Sequence, residues 1–61
     1  MNFGENIQFL RKQFGMTQEE LAEKMNVSRQ TVSKWEAGSI PEMERLTQLC
    51  DLFRCDLDTL I

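Results

Sequence analysis

The fold turns on Thr17-Gln18-Glu19-Glu20-Leu21-Ala22-Glu23-Lys24-Met25-Asn26-Val27-Ser28-Arg29-Gln30-Thr31-Val32-Ser33-Lys34-Trp35-Glu36-Ala37-Gly38. Thr17 and Glu20 stand at the spacing of a capping box, in which each side chain satisfies a backbone donor that the first helical turn leaves free. Met16 and Leu21 flank that start as a hydrophobic staple, and Leu21, Ala22 and Met25 continue the apolar face. Asn26 follows, a residue that tolerates the left-handed backbone needed to stop a helix. Val27 and Val32 then repeat the staple around a second N-cap, Ser28. Only a tight turn fits between Met25 and Ser28, so two short helices must cross steeply.

That arrangement is a helix-turn-helix, with its second helix running from Ser28 to Ala37. At about 100° per residue, Arg29, Gln30, Ser33 and Lys34 share one arc of that helix, while Val32 and Trp35 point away from it. The residues alone leave two readings of the polar arc. One is a solvated surface. The other is a surface that hydrogen-bonds base edges and phosphates, favoured by cations, an amide and hydroxyls with no acid among them.

Outward from this centre, Phe3, Ile7, Leu10 and Phe14 make one helical stripe ended by Gly15, predicting a helix over Phe3–Phe14. Gly38 ends the central helix, and Pro41 supports a new start nearby. Met43, Leu46, Leu49, Cys50 and Phe53 predict a fourth helix over Glu42–Phe53. Asp56 is a suitable N-cap for a last short helix carrying Leu57, Leu60 and Ile61. The expected class is all-α, five short helices in one domain over residues 1–61.

A chain of 61 residues holds one core and little more. No apolar run is long enough to span a bilayer, and Met1–Glu5 lacks the basic and apolar regions of an export signal, so the cytoplasm is the expected compartment. Cys50 and Cys55 are too few for a disulfide framework. With no histidine in the chain, a zinc site is not expected, and buried free thiols are the simpler reading. The net charge of −3 runs against a nucleic-acid partner, but its distribution is uneven. Residues 11–34 hold five cations against three acids, a net of +2; the remainder holds two against seven, a net of −5.

The strings Thr17–Ala22 and Val27–Glu36, with Gly38 and Pro41 after them, resemble the lambda-repressor-like, Cro/Xre-type helix-turn-helix regulators. The resemblance extends from Ile7 to Leu60. It implies sequence-specific binding of double-stranded DNA by a transcriptional regulator, a repressor, with no cofactor expected; because one copy touches too little DNA to select a site within a genome, a homodimer on a near-palindromic operator is expected. By the same resemblance Arg29, Gln30 and Lys34 face base edges. Gln18 meets a phosphate at the positive end of its helix. Ser28 lies at the groove entrance, Thr31 and Ser33 flank the base readers, and the Gly38–Ser39 loop offers backbone N–H groups to a phosphate. Arg11 and Glu36 match a structural pair, with Arg11 also a candidate for the DNA backbone.

Three departures stand out. Asn26 occupies a position where the family usually has glycine. The loop Ile40–Glu44 is acidic where some relatives carry cations for the minor groove. No basic arm precedes the first helix. Leu60 and Ile61 fit a dimer contact, a cap on the core, or the edge of a longer regulator. A rival reading is an antitoxin or adaptor that binds a protein partner through its acidic half. Catalysis is the weakest reading, because the chain offers no histidine, no glycine-rich phosphate loop and no nucleophile–base pair.

Overall fold

Four of the five helices begin on a side chain that accepts a backbone N–H of their first turn. Asn2, Thr17, Ser28 and Asp56 do so for α1 (Phe3–Gln13), α2 (Gln18–Met25), α3 (Arg29–Glu36) and α5 (Leu57–Leu60). Only α4 (Met43–Phe53) starts without one, at Glu42. The computed structural model describes residues 2–61, and Met1 lies outside them. Among the described residues none forms a strand, and no helix is long and apolar enough to cross a membrane.

The expected caps around the central pair are present. Thr17 and Glu20 exchange hydrogen bonds of 2.8 and 3.0 Å between side chain and backbone. Asn26 closes α2 at φ 58°, ψ 45°, and the Val27 N–H reaches back 2.9 Å to the Ala22 carbonyl. This six-residue closure reverses the chain within the space of the turn. Asn2 and Glu5 form a second capping box, which is not among the expected caps. At the far end, the Thr59 hydroxyl and backbone N–H hold the Asp56 carboxyl below the usual carboxylate range. Its cap therefore stabilises fully above the unfolded-state pKa and fades as pH falls through the lowered one.

Burial follows the helical stripes. Phe3, Ile7 and Leu10 from α1 meet Leu21, Ala22 and Met25 from α2, Val32 and Trp35 from α3, Leu46, Leu49 and Phe53 from α4, and Leu60 from α5. Met16 and Val27, the outer members of the two staples, pack on this cluster's edge. Several expectations need correction at the margins. Phe14 is the C-cap of α1 rather than a core residue; it is 43% exposed and sets its ring edge against Phe53 at 5.3 Å. Met43, expected in the α4 stripe, is the first residue of α4 and is 60% exposed. Cys50 is half-buried at the margin of that stripe. Leu60, one of the residues expected to fit a dimer contact, is fully buried, and its carbonyl accepts from the Asn6 side chain at 3.0 Å. It closes the core, while Ile61 beside it is exposed.

The seam between α1 and α3 depends on Gly4. A Cβ there would collide with the Glu36 carbonyl oxygen, lying 2.9 Å from its carbon and 3.1 Å from the Trp35 oxygen. These obstacles are backbone and cannot swing aside. Gly4→Ala is expected to destabilise the domain by about 1–3 kcal/mol through overpacking. The gain in helix propensity, about 1 kcal/mol at most, opposes it only in part. The midpoint of urea unfolding checks this, and an unchanged or raised midpoint would show that α1 and α3 separate freely.

Candidate nucleic-acid interface

Helix α3 is held from beneath by two side chains. Val32 is completely buried and Trp35 nearly so, and α3 packs against both α1 and α2. With that stripe fixed, the 3.6-residue period lifts Arg29, Gln30, Ser33 and Lys34 into solvent, and all four are exposed. Ala37 continues the same face at the helix end. The helical period places these four residues together in the sequence, and the fold brings them together.

Beneath one edge of that face lies a chain of polar contacts. Arg11 is buried and donates through Nε to Glu36 Oε2 at 2.6 Å and through Nη2 to Glu36 Oε1 at 3.3 Å. Its Nη1 donates to the Met16 carbonyl at 2.8 Å. The pair thus ties α1, the loop before α2 and the end of α3 together. Three of the five guanidinium N–H groups are engaged in this way, and 10% of the Arg11 side chain is exposed. The expected structural pairing with Glu36 is present.

Gln18, the first residue of α2, extends this network. Its Nε2 donates to Glu36 Oε1 at 3.0 Å, and its Oε1 accepts from Arg29 Nη1 at 3.4 Å. The Gln18 side chain is half-buried, so what it presents outward is chiefly the start of its helix. The first backbone N–H groups there have no intrahelical acceptor and carry the positive end of the helix dipole. No sequence signal joins Gln18 to Arg29, since their contact depends on the angle between α2 and α3.

The remaining candidates divide by what already occupies them. Ser28 Oγ accepts the Thr31 N–H at 3.1 Å and lies 2.9 Å from Thr31 Oγ1, so its hydroxyl caps α3. Thr31 is half-buried on the side toward α4, whereas Ser33 is free on the open face. In the loop, Gly38 N–H donates to the Trp35 carbonyl at 3.0 Å and Ser39 N–H to the Lys34 carbonyl at 2.9 Å. These two amides finish α3, with Gly38 at φ 118°, and are not available to a phosphate. Beside them the exposed Ser39 side chain carries a hydroxyl. That hydroxyl borders a concavity of about 220 Å³ lined also by Thr31, Lys34, Glu42 and Arg45. Arg45 carries no signal in the sequence that marks it for this place. It anchors there by donating to the Met25 carbonyl at 3.0 Å and to Gln48 at 2.9 Å.

A steep helix pair locked by two staples, with its second helix carrying an exposed face of cations, amide and hydroxyl, defines a helix-turn-helix DNA-binding domain of the five-helix, lambda-repressor kind. The helix-turn-helix family model matches residues 7–60, and the chain belongs to that family of transcriptional regulators. It is 44% identical over 62 aligned positions to the HTH-type transcriptional activator BcrR of Enterococcus faecalis. All of this chain is covered by that match, which takes in only 30% of the relative's length.

Among solved structures, a transcriptional regulator from Listeria innocua superposes with a TM-score of 0.90 at 33% identity, over 98% of this chain and 57% of that one. The SOS-response transcriptional repressor LexA from Eubacterium rectale gives a TM-score of 0.88 at 35% identity, covering 97% and 64%. The DNA-binding domain of the P22 C2 repressor gives 0.87 at 31% identity, covering 98% and 80%.

Proposed function

We propose that the chain represses transcription by occupying a near-palindromic operator as a homodimer, one α3 in each of two adjacent major grooves. The observation that carries this reading is the exposed, acid-free arc of Arg29, Gln30, Ser33 and Lys34 on a chain whose net charge is −3. Cations are scarce in this protein, and an arc holding two of them beside an amide suits base edges. Arg29 and Lys34 donate to guanine O6 and N7, and Gln30 pairs with adenine. Ser33 and the Ser39 hydroxyl meet phosphates, as do the first N–H groups of α2 at Gln18. Ser28 and Thr31 line the groove entrance and act mainly by holding the start of α3.

Two copies are required on energetic grounds. One helix reads too few base pairs to select a site within a genome, and two-fold symmetry doubles the readout. The named relatives include an activator as well as repressors. Repression is the role proposed here because it needs only occupancy of the site, whereas activation requires a further contact with the transcription machinery.

Selection of bound duplexes from a random pool tests the proposal. The expected result is a consensus with two inverted half-sites about one helical turn apart. Absence of any enriched sequence would overturn it and favour a protein partner. A consensus without symmetry would overturn the dimer alone. Within a selected site, Gln30→Ala is expected to erase preference at one base position, by about 1–3 kcal/mol, while leaving the others intact. A uniform loss on every sequence would reassign Gln30 to the DNA backbone.

A further inference from the structure

We propose that Cys50 and Cys55 form a paired dithiol that closes to an intrachain disulfide on meeting a small-molecule disulfide. Helix α4 ends on Arg54 in the left-handed conformation, at φ 55° and ψ 47°. The Cys55 N–H then reaches back 3.1 Å to the Cys50 carbonyl. This is the six-residue helix stop in which the residue after the left-handed position and the one five before it bring their side chains into contact. In most proteins that contact is hydrophobic; here both positions are cysteine. The two side chains are each half-buried and free, and both rest against the margin of the same core.

Burial raises the Cys55 thiol pKa, and the neighbouring Cys50 side chain raises it further. In the closure written from Cys50, its sulfur gives up its proton to solvent, attacks one sulfur of the incoming disulfide and expels a thiolate, leaving a mixed disulfide on Cys50. Cys55 then gives its proton to solvent, attacks the Cys50 sulfur and expels the second thiolate. Two electrons pass from the protein thiols to the reagent, which leaves as two reduced thiols. The product pins the corner between α4 and α5 across Arg54, a residue whose backbone conformation is otherwise unfavourable for a side chain.

Oxidised glutathione acting on the folded chain provides the test. The expected product has lost two hydrogens in mass, carries no glutathione, resists alkylation at both cysteines and returns to the dithiol with a reductant. Cys50→Ser and Cys55→Ser should each instead keep one glutathione. Closure should run roughly tenfold faster in the folded chain than in denaturant, because the helix stop holds the thiols together. Wild type that accumulates glutathione adducts as the single variants do, or that links into disulfide dimers, would overturn the proposal. So would closure no faster when folded than when denatured.

Discussion

Glu36→Ala is expected to lower the stability of the domain by about 3–5 kcal/mol, the range for removing one partner of a buried ion pair. A single small core rarely supplies more than roughly that amount, so the variant should be largely unfolded near body temperature. The reason lies in what stays behind. Arg11 sits in the seam between α1 and α3 with 10% of its side chain exposed, and Glu36 with 8%. Without the carboxylate, the guanidinium would keep only the Met16 carbonyl as acceptor. The charge itself would remain uncompensated in a poorly solvated place. Gln18 would also lose the Glu36 oxygen that its amide donates to.

Urea unfolding of Glu36→Ala and of the double variant Arg11→Met/Glu36→Ala checks the account. The single variant should lose most of the stability and the double variant should regain much of it, because the methionine leaves no buried charge. A loss below about 1 kcal/mol in the single variant would place the pair among solvent-screened surface bridges.

Arg29→Ala and Lys34→Ala should have the second largest effects, this time on binding. Each bidentate base contact discriminates by about 1–3 kcal/mol, and a symmetric dimer makes every contact twice, so about 2–6 kcal/mol is at stake per substitution. Neither residue is buried, so the melting temperature should stay within the small range typical of surface changes. Titration against a selected operator and a random duplex separates the possibilities. A base-reading role predicts a far larger loss on the operator than on random DNA. Equal losses on both would make the residue a phosphate contact and remove it from the specificity set. Arg29 carries an additional expectation, since its Nη1 lies 3.4 Å from Gln18 Oε1. Gln18→Ala should loosen Arg29 and, on the proposed readout, weaken discrimination at the base assigned to Arg29 without touching the one assigned to Lys34.

The helices themselves are largely legible in the amino-acid sequence. Thr17, Glu20 and Ser28 are caps whose geometry is set within four residues, and Asn26 stops α2 by its own tolerance of the left-handed backbone. The stripe of Val32 and Trp35 likewise fixes which face of α3 turns outward. Three kinds of feature are not legible in this way. Arg54 gives no sign of being a left-handed stop, because its side chain gains no local advantage there; the docking of α5 through Leu60 imposes it. Phe14 and Met43 fit a stripe in sequence but lie past the end of the surface that their helices bury. Gly4, Gln18 and Arg45 take their importance from partners 32, 18 and 20 residues away, at spacings no local rule contains.

Sequence alone therefore determined the five-helix plan, the tight turn and the polar arc of α3, because caps, staples and helical period act over a few residues. Tertiary structure decided which polar groups remain available. Arg11 is paired with Glu36, and Gln18 is turned toward Glu36 and Arg29. A hydrogen-bonding group has a limited number of partners, and only the packing of distant segments settles which of them it meets first.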